Sequence, residues 1–234
     1  MLTSVAGAQL VVWVATGFAF TCFDFEEVRG TKDRAPPAAV AFDRVRVRPE
    51  EAARAATAPG AVVQSVALKT VDGRPTYLVA FAGTHGEVLI DAEHGDVAAV
   101  KRDAAARIAV GAYRGVARAR SIEPRREDGR DVFVVRLDDA RDTEVTVDAL
   151  TGDVATWKNR PYRFFDALWS AHVLGYLDRR SPANWPLRLV AFLAFAAVTS
   201  GVLLLLARLR ALLASRERKV PWLVTKSQHS VSGS

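Results

Sequence analysis

The chain has 234 residues, of which 50% are hydrophobic and 25% are charged, and it carries a formal net charge of +6 and one cysteine. Residues 24–183 hold 25 lysines and arginines and 25 aspartates and glutamates, so the whole positive excess lies after this central region. This distribution argues against binding to nucleic acid, which requires cations clustered on a folded face, and the single Cys22 excludes an internal disulfide.

The first segment of the chain is apolar. Residues 2–23 carry no charged side chain, and this is about the length of a helix that crosses a hydrocarbon core of roughly 30 Å. We therefore predict a membrane-spanning helix at residues 1–23. A cleaved signal peptide is the alternative, but no lysine or arginine precedes the apolar run and residues 17–22 offer no small-residue cleavage site. The missing basic flank also suggests that the protein begins upstream of Met1.

An internal repeat follows a connector at residues 24–47, which is charged and broken by prolines. Residues 72–100 and 128–157 align with one inserted residue, and both copies begin with DGR and close on GDV and a short final segment. The repeat predicts two similar units, at residues 48–102 and 103–160, which pair because one copy is too small to form a core alone.

Each unit is predicted to be a helix followed by an antiparallel sheet, so the fold class is α+β. In the first unit the helix begins at Pro49 and ends at Pro59–Gly60. Asp72–Gly73 supplies a tight turn between the first two strands. Alternation such as Tyr77, Val79 and Phe81 marks one buried face, and it predicts strands at residues 62–69, 76–81 and 87–91 and a short last strand after His94–Gly95.

The second unit repeats this order. Asp103 is predicted to cap its helix, which runs to about Tyr113. Turns are predicted at Asp128–Gly129 and at Thr151–Gly152. Residues 116–120 form a candidate strand whose alternating Arg118 and Arg120 face solvent.

A different kind of segment occupies residues 161–184. Its apolar and polar residues separate at helical spacing, which predicts an amphipathic helix and linker that lie on the membrane surface. The apolar side holds Phe164, Phe165, Leu168, Trp169, His172, Val173, Tyr176 and Leu177, and the polar side holds Arg163, Asp166, Ser170 and Asp178.

The last apolar run predicts a second span at residues 185–207, because residues 189–207 carry no charge. The basic tail at residues 208–234 places the C-terminus in the cytoplasm. Two spans then place the N-terminus there as well, with the central region in the periplasm of a bacterial inner membrane. Small residues let this span pack against the first one or against a second subunit in a homodimer: Ala191, Ala194, Ala197 and Gly201.

The repeated unit resembles the PepSY domain, because IDAxxGDV stands at residues 90–97 and VDAxxGDV at residues 147–154. Residues 162–169, followed by His172 and a span that contains Thr199–Ser200–Gly201, are similar to the membrane-anchored PepSY proteins, which often carry a tryptophan and a histidine ahead of a transmembrane helix. The resemblance covers most of residues 48–207. It implies a protein that inhibits or modulates an extracytoplasmic partner, and larger membrane relatives include siderophore-iron reductases that hold haem with intramembrane histidines.

His172 is the candidate cofactor-binding residue. Its imidazole lies on the aromatic face of the predicted helix, which suits an axial ligand of haem b, and two copies in a homodimer would supply two ligands. The alternative is a histidine that only packs and hydrogen-bonds. Neither predicted span contains a histidine, whereas the haem-binding relatives hold haem with intramembrane histidines. The resemblance therefore does not imply a complete haem site within one protomer.

No catalytic or metal site is predicted. Aspartates beside glycine hydrogen-bond to the local backbone of a turn, which accounts for Asp91, Asp96, Asp148 and Asp153. His85 and His94 have no cysteine or histidine partner at zinc spacing. The sequence therefore predicts a non-enzymatic protein of the lipid bilayer whose periplasmic repeats bind a protein partner, such as a protease, by strand addition. The alternative is a subunit of a haem or iron redox system.

Overall fold

The computed structural model describes residues 2–56, 61–83, 86–174 and 185–217. The chain divides into a helical unit, Met1–Thr21 with Leu168–Ser234, and a domain, Cys22–Ala167. Several predictions fall outside the described residues: the helix end at Pro59–Gly60, His85, most of the linker before residue 185, and the tail from residue 218 onward.

The helices are α1 (Leu2–Thr21), α2 (Phe25–Val28), α3 (Pro49–Ala56), α4 (Arg102–Gly111), α5 (Arg160–His172) and α6 (Trp185–Glu217). The strands are β1 (Val63–Val71), β2 (Arg74–Phe81), β3 (Glu87–Asp91), β4 (Val97–Ala98), β5 (Ala119–Glu127), β6 (Arg130–Leu137), β7 (Glu144–Asp148) and β8 (Val154–Lys158). The predicted α+β fold class is confirmed.

The strands of the domain form two four-stranded antiparallel sheets with the same order, β1-β2-β3-β4 and β5-β6-β7-β8. The first two strands of each sheet are joined by a two-residue turn. Both residues of Asp72–Gly73 and both of Asp128–Gly129 have positive φ, as a type I′ turn requires. The predicted tight turns are therefore confirmed, and each fixes the register of its hairpin.

Two apolar clusters form the core of the domain. In the first, the predicted alternation is confirmed, because Tyr77, Val79 and Phe81 are buried and pack with Ala52 of α3. The second cluster draws residues from both sheets and from α4: Leu89, Val100, Ala105, Ala109, Val135, Leu137, Val145, Val147 and Trp157. Since this cluster combines the two halves of the domain, neither half encloses it alone.

Two local predictions are wrong, and one helix end differs from its prediction by two residues. α4 begins at Arg102, one residue before Asp103, and Lys101 holds the N-cap position without a side-chain hydrogen bond. Asp103 instead lies in the first turn, where its charge favours the helix dipole. The helix ends at Gly111 rather than near Tyr113. The candidate strand at residues 116–120 begins only at Ala119, because the pairing of β5 with β6 starts at Ala119 and Leu137.

The connector is ordered and packs on the second half of the domain. Arg34 pairs with Tyr113 in an isolated antiparallel bridge, and the backbone N–H of Ala35 donates to the carbonyl oxygen of Ala112 at 2.8 Å. Gly30 has φ +66° and lies so close to Trp157 that a Cβ atom there would overlap the indole ring. Glycine is therefore the residue that lets the connector approach the core.

In the helical unit, α6 contains a stretch of 28 residues that is long and apolar enough to cross a membrane, Leu187–Ala214, in which an 18-residue window has a mean hydropathy of 2.6. It is the one such helix in the described ranges, and it coincides with the second predicted span. α1 contains a shorter apolar stretch, Gly7–Thr21. The crossing of the membrane by α1 stays a prediction.

Candidate functional site

The outer edge of β1 presents unpaired backbone groups. Val71 and Arg74 flank the two-residue turn and form a hydrogen-bonded pair, so every second pair along the hairpin is non-hydrogen-bonded, including those of Val66 and Leu68. The N–H and C=O groups of Val66 and Leu68 therefore point away from β2. Within the described ranges, no group is hydrogen-bonded to these outward atoms.

The corresponding edge of β5 is closed. Ile122 and Pro124 stand in the register positions of Val66 and Leu68. The outward carbonyl oxygen of Ile122 accepts a hydrogen bond of 2.7 Å from Nη2 of Arg102. Pro124 has no N–H and cannot donate to an added strand. The other two outer strands are short, since β4 has two residues and β8 has five, so β1 is the long strand edge that remains.

A groove of about 830 Å³ adjoins the edge of β1. Leu68, Lys69 and Thr70 contribute to it from β1. Residues 34–40 of the connector, here called the strap, adjoin it, and all of them except Ala39 line it. The hydroxyl of Thr70 donates to the carbonyl oxygen of Ala39 at 3.1 Å, which holds the strap beside the strand. The remaining apolar lining includes Ile108, Ala112, Val154 and Trp157. Its volume and lining suit the side chains of an extended peptide.

Two of the cations at this groove are paired with carboxylates. Nζ of Lys69 lies 2.6 Å from Oδ1 of Asp153, and Nη2 of Arg107 lies 2.5 Å from Oδ2 of Asp72. The hydrogen bonds that the Arg107 guanidinium donates to the Asp72 carboxylate raise its pKa further above the ordinary value. The guanidinium of Arg34, which also lines the groove, lies over the Trp157 ring at 5.3 Å. Since Lys69 and Arg107 are each neutralised by a carboxylate, shape and apolar contact would contribute most to the selection of an occupant.

The second candidate site surrounds His172 in the helical unit. Nε1 of Trp13 donates to the His172 carbonyl oxygen at 2.5 Å, and Nε2 of Gln9 lies 3.5 Å from the same oxygen. These α1 side chains satisfy a carbonyl that the end of α5 leaves without a helical partner. Three aromatic rings lie 5.4 to 6.2 Å from the imidazole, centroid to centroid: Phe20, Trp169 and Trp13.

The hydrogen bonds of Thr16 favour one tautomer of neutral His172. The Thr16 hydroxyl lies 2.6 Å from the carbonyl oxygen of Val12 and 2.7 Å from Nδ1 of His172. Its single proton satisfies the carbonyl, so both contacts are favourable only if Nδ1–H donates to the Thr16 oxygen. The neutral ring then carries its lone pair on Nε2, as in histidines whose other nitrogen is anchored while they bind a metal.

His172 lies beside α1, and the placement of its helix on the membrane surface stays a prediction. Its partners Thr16 and Gln9 stand five and twelve residues before the end of α1 at Thr21, which corresponds to about 7.5 and 18 Å along a helix. The last turn of α5 therefore lies beside the middle of α1. Ser170, placed on the polar side by the sequence pattern, is buried.

The turn aspartates organise the backbone, as predicted for Asp91 and Asp148. Oδ1 of Asp91 accepts from the N–H groups of Glu93 and His94 at 2.7 and 3.1 Å, and Oδ1 of Asp148 accepts from two N–H groups at 2.8 and 2.9 Å. Asp153 differs, because its carboxylate pairs with Lys69 across the groove.

One group of potential metal ligands occurs at the β3–β4 turn. Oxygen and nitrogen atoms of Asp91, Glu93 and His94 lie within 4.8 Å of one another. Asp91 is occupied by the turn, however, and Glu93 accepts two hydrogen bonds from Arg44, at 2.7 and 2.9 Å. The hydrogen bonds of Asp91 and Glu93 therefore explain why these side chains lie close together: they stabilise the turn.

Asn159 positions the start of α5, and the sequence did not lead us to predict this role. It is fully buried, and its Oδ1 accepts from the Tyr162 N–H at 2.8 Å, which caps α5. Its Nδ2 donates to the Glu27 carbonyl oxygen, also at 2.8 Å, which joins the start of α5 to the connector. The signal was present, since an asparagine followed by Arg160–Pro161 before a helical pattern is typical of a helix start.

The comparison with family models returns one family, described as PepSY-associated TM region, which matches residues 27–234. No curated protein and no solved structure matches the chain. Since the family model covers most of the chain, the protein belongs to the PepSY-associated TM family. This confirms the resemblance inferred from the repeated IDAxxGDV pattern and from residues 162–201. The protein is therefore a membrane-associated PepSY protein.

Proposed function

We propose that this protein of the PepSY-associated TM family is anchored by two spans, α1 and α6, and displays two tandem PepSY-like repeats in the bacterial periplasm. There it binds an extracytoplasmic protein partner by adding a strand of that partner to the outer edge of β1. The observation that carries the proposal is the difference between the open edge of β1 and the closed edge of β5.

Strand addition uses backbone groups for affinity and side-chain pockets for specificity. Val66 and Leu68 supply the outward N–H and C=O groups, and each hydrogen bond is worth a net of only about 0.5–1.5 kcal/mol. Backbone bonds alone would therefore give weak binding. The apolar groove that adjoins Leu68 offers the additional contact area that a specific partner needs.

A pair of proline variants tests this function. Val66→Pro removes an outward N–H from β1 and no hydrogen bond to β2, because the Val66 pair is non-hydrogen-bonded. Ile122→Pro makes the same change at the matching position of β5, so it controls for the effect of proline on an edge strand. We expect quantitative mass spectrometry of the tagged chain, purified from its native host, to show loss of one reproducible partner with Val66→Pro only.

Equal recovery of that partner with the two variants would contradict the use of β1. If Val66→Pro lowers the amount of folded protein, Ser65→Lys offers a gentler change, because a charged residue at a strand edge opposes pairing without removing an N–H. Its control is Ser121→Lys, at the matching position of β5.

A second candidate function rests on the anchored imidazole of His172. The residues fit one axial ligand of haem b, because Thr16 holds Nδ1–H and leaves the lone pair on Nε2. Haem would supply one-electron chemistry, while Thr16 and Trp13 orient the histidine. In the described ranges the remaining histidine, His94, lies in the domain, so the second ligand would come from His172 of another copy in a homodimer.

Absorption spectroscopy separates the two functions. As a haem protein, the chain purified from haem-replete cells would show a Soret band that His172→Ala abolishes and His94→Ala leaves unchanged. A colourless wild-type protein, or a band that survives His172→Ala, would contradict this second function and leave the proposal for β1 unaffected.

A further inference from the structure

Four phenylalanine side chains cluster where the domain begins and where α5 begins. Phe23 lies 5.8 Å from Phe164 and 5.6 Å from Phe165, and Phe25 lies 5.7 Å from Phe165, measured between ring centroids. We call this set the phenylalanine cluster. Phe25 is 47% exposed and Phe164 is 59% exposed, so the cluster presents apolar rings at the surface of the domain.

Polar contacts on either side hold the cluster in place. Asp24 lies between Phe23 and Phe25 in the chain, and its carboxylate accepts from the Glu26 N–H at 2.9 Å and caps the short helix α2. Asn159 caps α5 and also binds the Glu27 carbonyl oxygen. Arg141 reaches both Glu27 and Asp33, at 3.4 and 3.1 Å. The two segments that carry the rings are therefore fastened to each other.

A groove of about 380 Å³ lies beside the cluster. Phe23, Val28, Pro161 and Phe164 give it an apolar lining, and Arg160 contributes a cation. The carboxylates of Asp24 and Glu27 also line the groove, but they are paired with Lys32 and Arg141. An apolar surface with a cation beside it matches the boundary of a phospholipid leaflet, where acyl chains meet phosphate groups.

The chain itself indicates what covers these rings. Phe23 follows the end of α1 at Thr21 by two residues, and α5 continues from the cluster into the helical unit at Leu168. Both segments thus pass directly from the phenylalanine cluster to helices of the unit that contains the apolar Leu187–Ala214 stretch. Phenylalanine side chains insert at the headgroup–acyl boundary in segments that lie at a membrane surface.

We propose that the phenylalanine cluster is a membrane-interface anchor, with Phe25 and Phe164 inserted at the headgroup–acyl boundary of the outer leaflet and Arg160 beside a lipid phosphate. The cluster then fixes the depth at which the domain is held. This surface is separate from the edge of β1, and its partner is phospholipid rather than protein.

Spin-label accessibility on the full-length chain tests the anchor. Cys22→Ser removes the native thiol, and Phe164→Cys or Phe42→Cys then carries a nitroxide in nanodiscs of phosphatidylcholine and phosphatidylglycerol. Phe42 is the matched control, because it is a phenylalanine of the same domain, 73% exposed and outside the cluster. We expect the label at 164 to be reached by oxygen in preference to a water-soluble nickel chelate, and the label at 42 to show the reverse preference.

Equal access of the nickel chelate to both labels would overturn the proposal. Shielding of the label at 164 from oxygen and nickel together would overturn it as well, because it would show that protein covers the cluster. Phe25→Cys is the second position if Phe164→Cys does not fold. None of these outcomes depends on partner binding at β1.

Discussion

Single aspartates organise the turns of both sheets. At Asp91, burial raises the pKa of the carboxyl, but the N–H groups of Glu93 and His94 and the His94 side chain outweigh this effect and hold the pKa below its ordinary value. Because the folded-state pKa is the lower one, the carboxylate stabilises the fold above the unfolded-state pKa of about 4, and this stability is lost as the pH falls through the folded-state pKa.

Asp91→Ala should therefore lower the free energy of unfolding by about 2 kcal/mol at pH 7, since it removes charge-assisted hydrogen bonds to two backbone N–H groups. The difference from wild type should shrink below about pH 4. Denaturant unfolding of the full-length chain in detergent, followed by circular dichroism, measures both effects. Asp96→Ala is the control, because Asp96 is exposed. A constant difference across this pH range would contradict the account.

At the scale of elements, the Asn159 side chain has two structural roles: it caps α5, and it binds that helix to the connector through the Glu27 carbonyl oxygen. Asn159→Ala should cost about 2 kcal/mol, from one lost cap and one lost buried hydrogen bond. Asn159→Ser keeps a capping oxygen but cannot reach Glu27, so it should cost about half as much. The same unfolding measurement compares the two variants, and equal losses would mean that the cap contributes nothing.

Local signals in the sequence were sufficient for the hairpins. Asp72–Gly73 fixes its turn through positive φ at neighbouring residues, and the alternation of Tyr77 and Val79 follows from the pleat of one strand. Pro124 also carried a readable signal, because a proline inside a strand pattern indicates an edge. The closure of β5 by Arg102 was not predictable, since it depends on how α4 packs against the sheet.

The spacing of apolar residues in the sequence also could not show which surroundings α5 has. A helix on a membrane surface and a helix packed against another helix share the same spacing of apolar residues, so the pattern of Phe165, Leu168 and His172 is compatible with both. What distinguishes them is the contact of His172 with Thr16, more than 150 residues away in the chain. The same contact defines the second candidate site, which explains why the sequence identified His172 but not its surroundings.

At the scale of the whole molecule, the two sheets are similar but differ at their first strands: the outer edge of β1 is open and that of β5 is closed. Their strand order, tight turns and register shifts agree, while their outward groups differ at Ile122 and Pro124. Closing one of two equivalent edges limits unwanted pairing and leaves one place for a partner strand. The identical features maintain the fold, and the differences between the halves carry the specificity that we propose.

Amide hydrogen exchange compared between native membranes and the purified chain tests this central claim most directly. A partner strand on β1 should protect the outward amides of Val66 and Leu68, so the peptide that covers β1 should exchange more slowly in native membranes than after purification in detergent. The peptide that covers β5 should exchange at the same rate in both. Unchanged exchange in β1, or equal protection of both strands, would contradict the account.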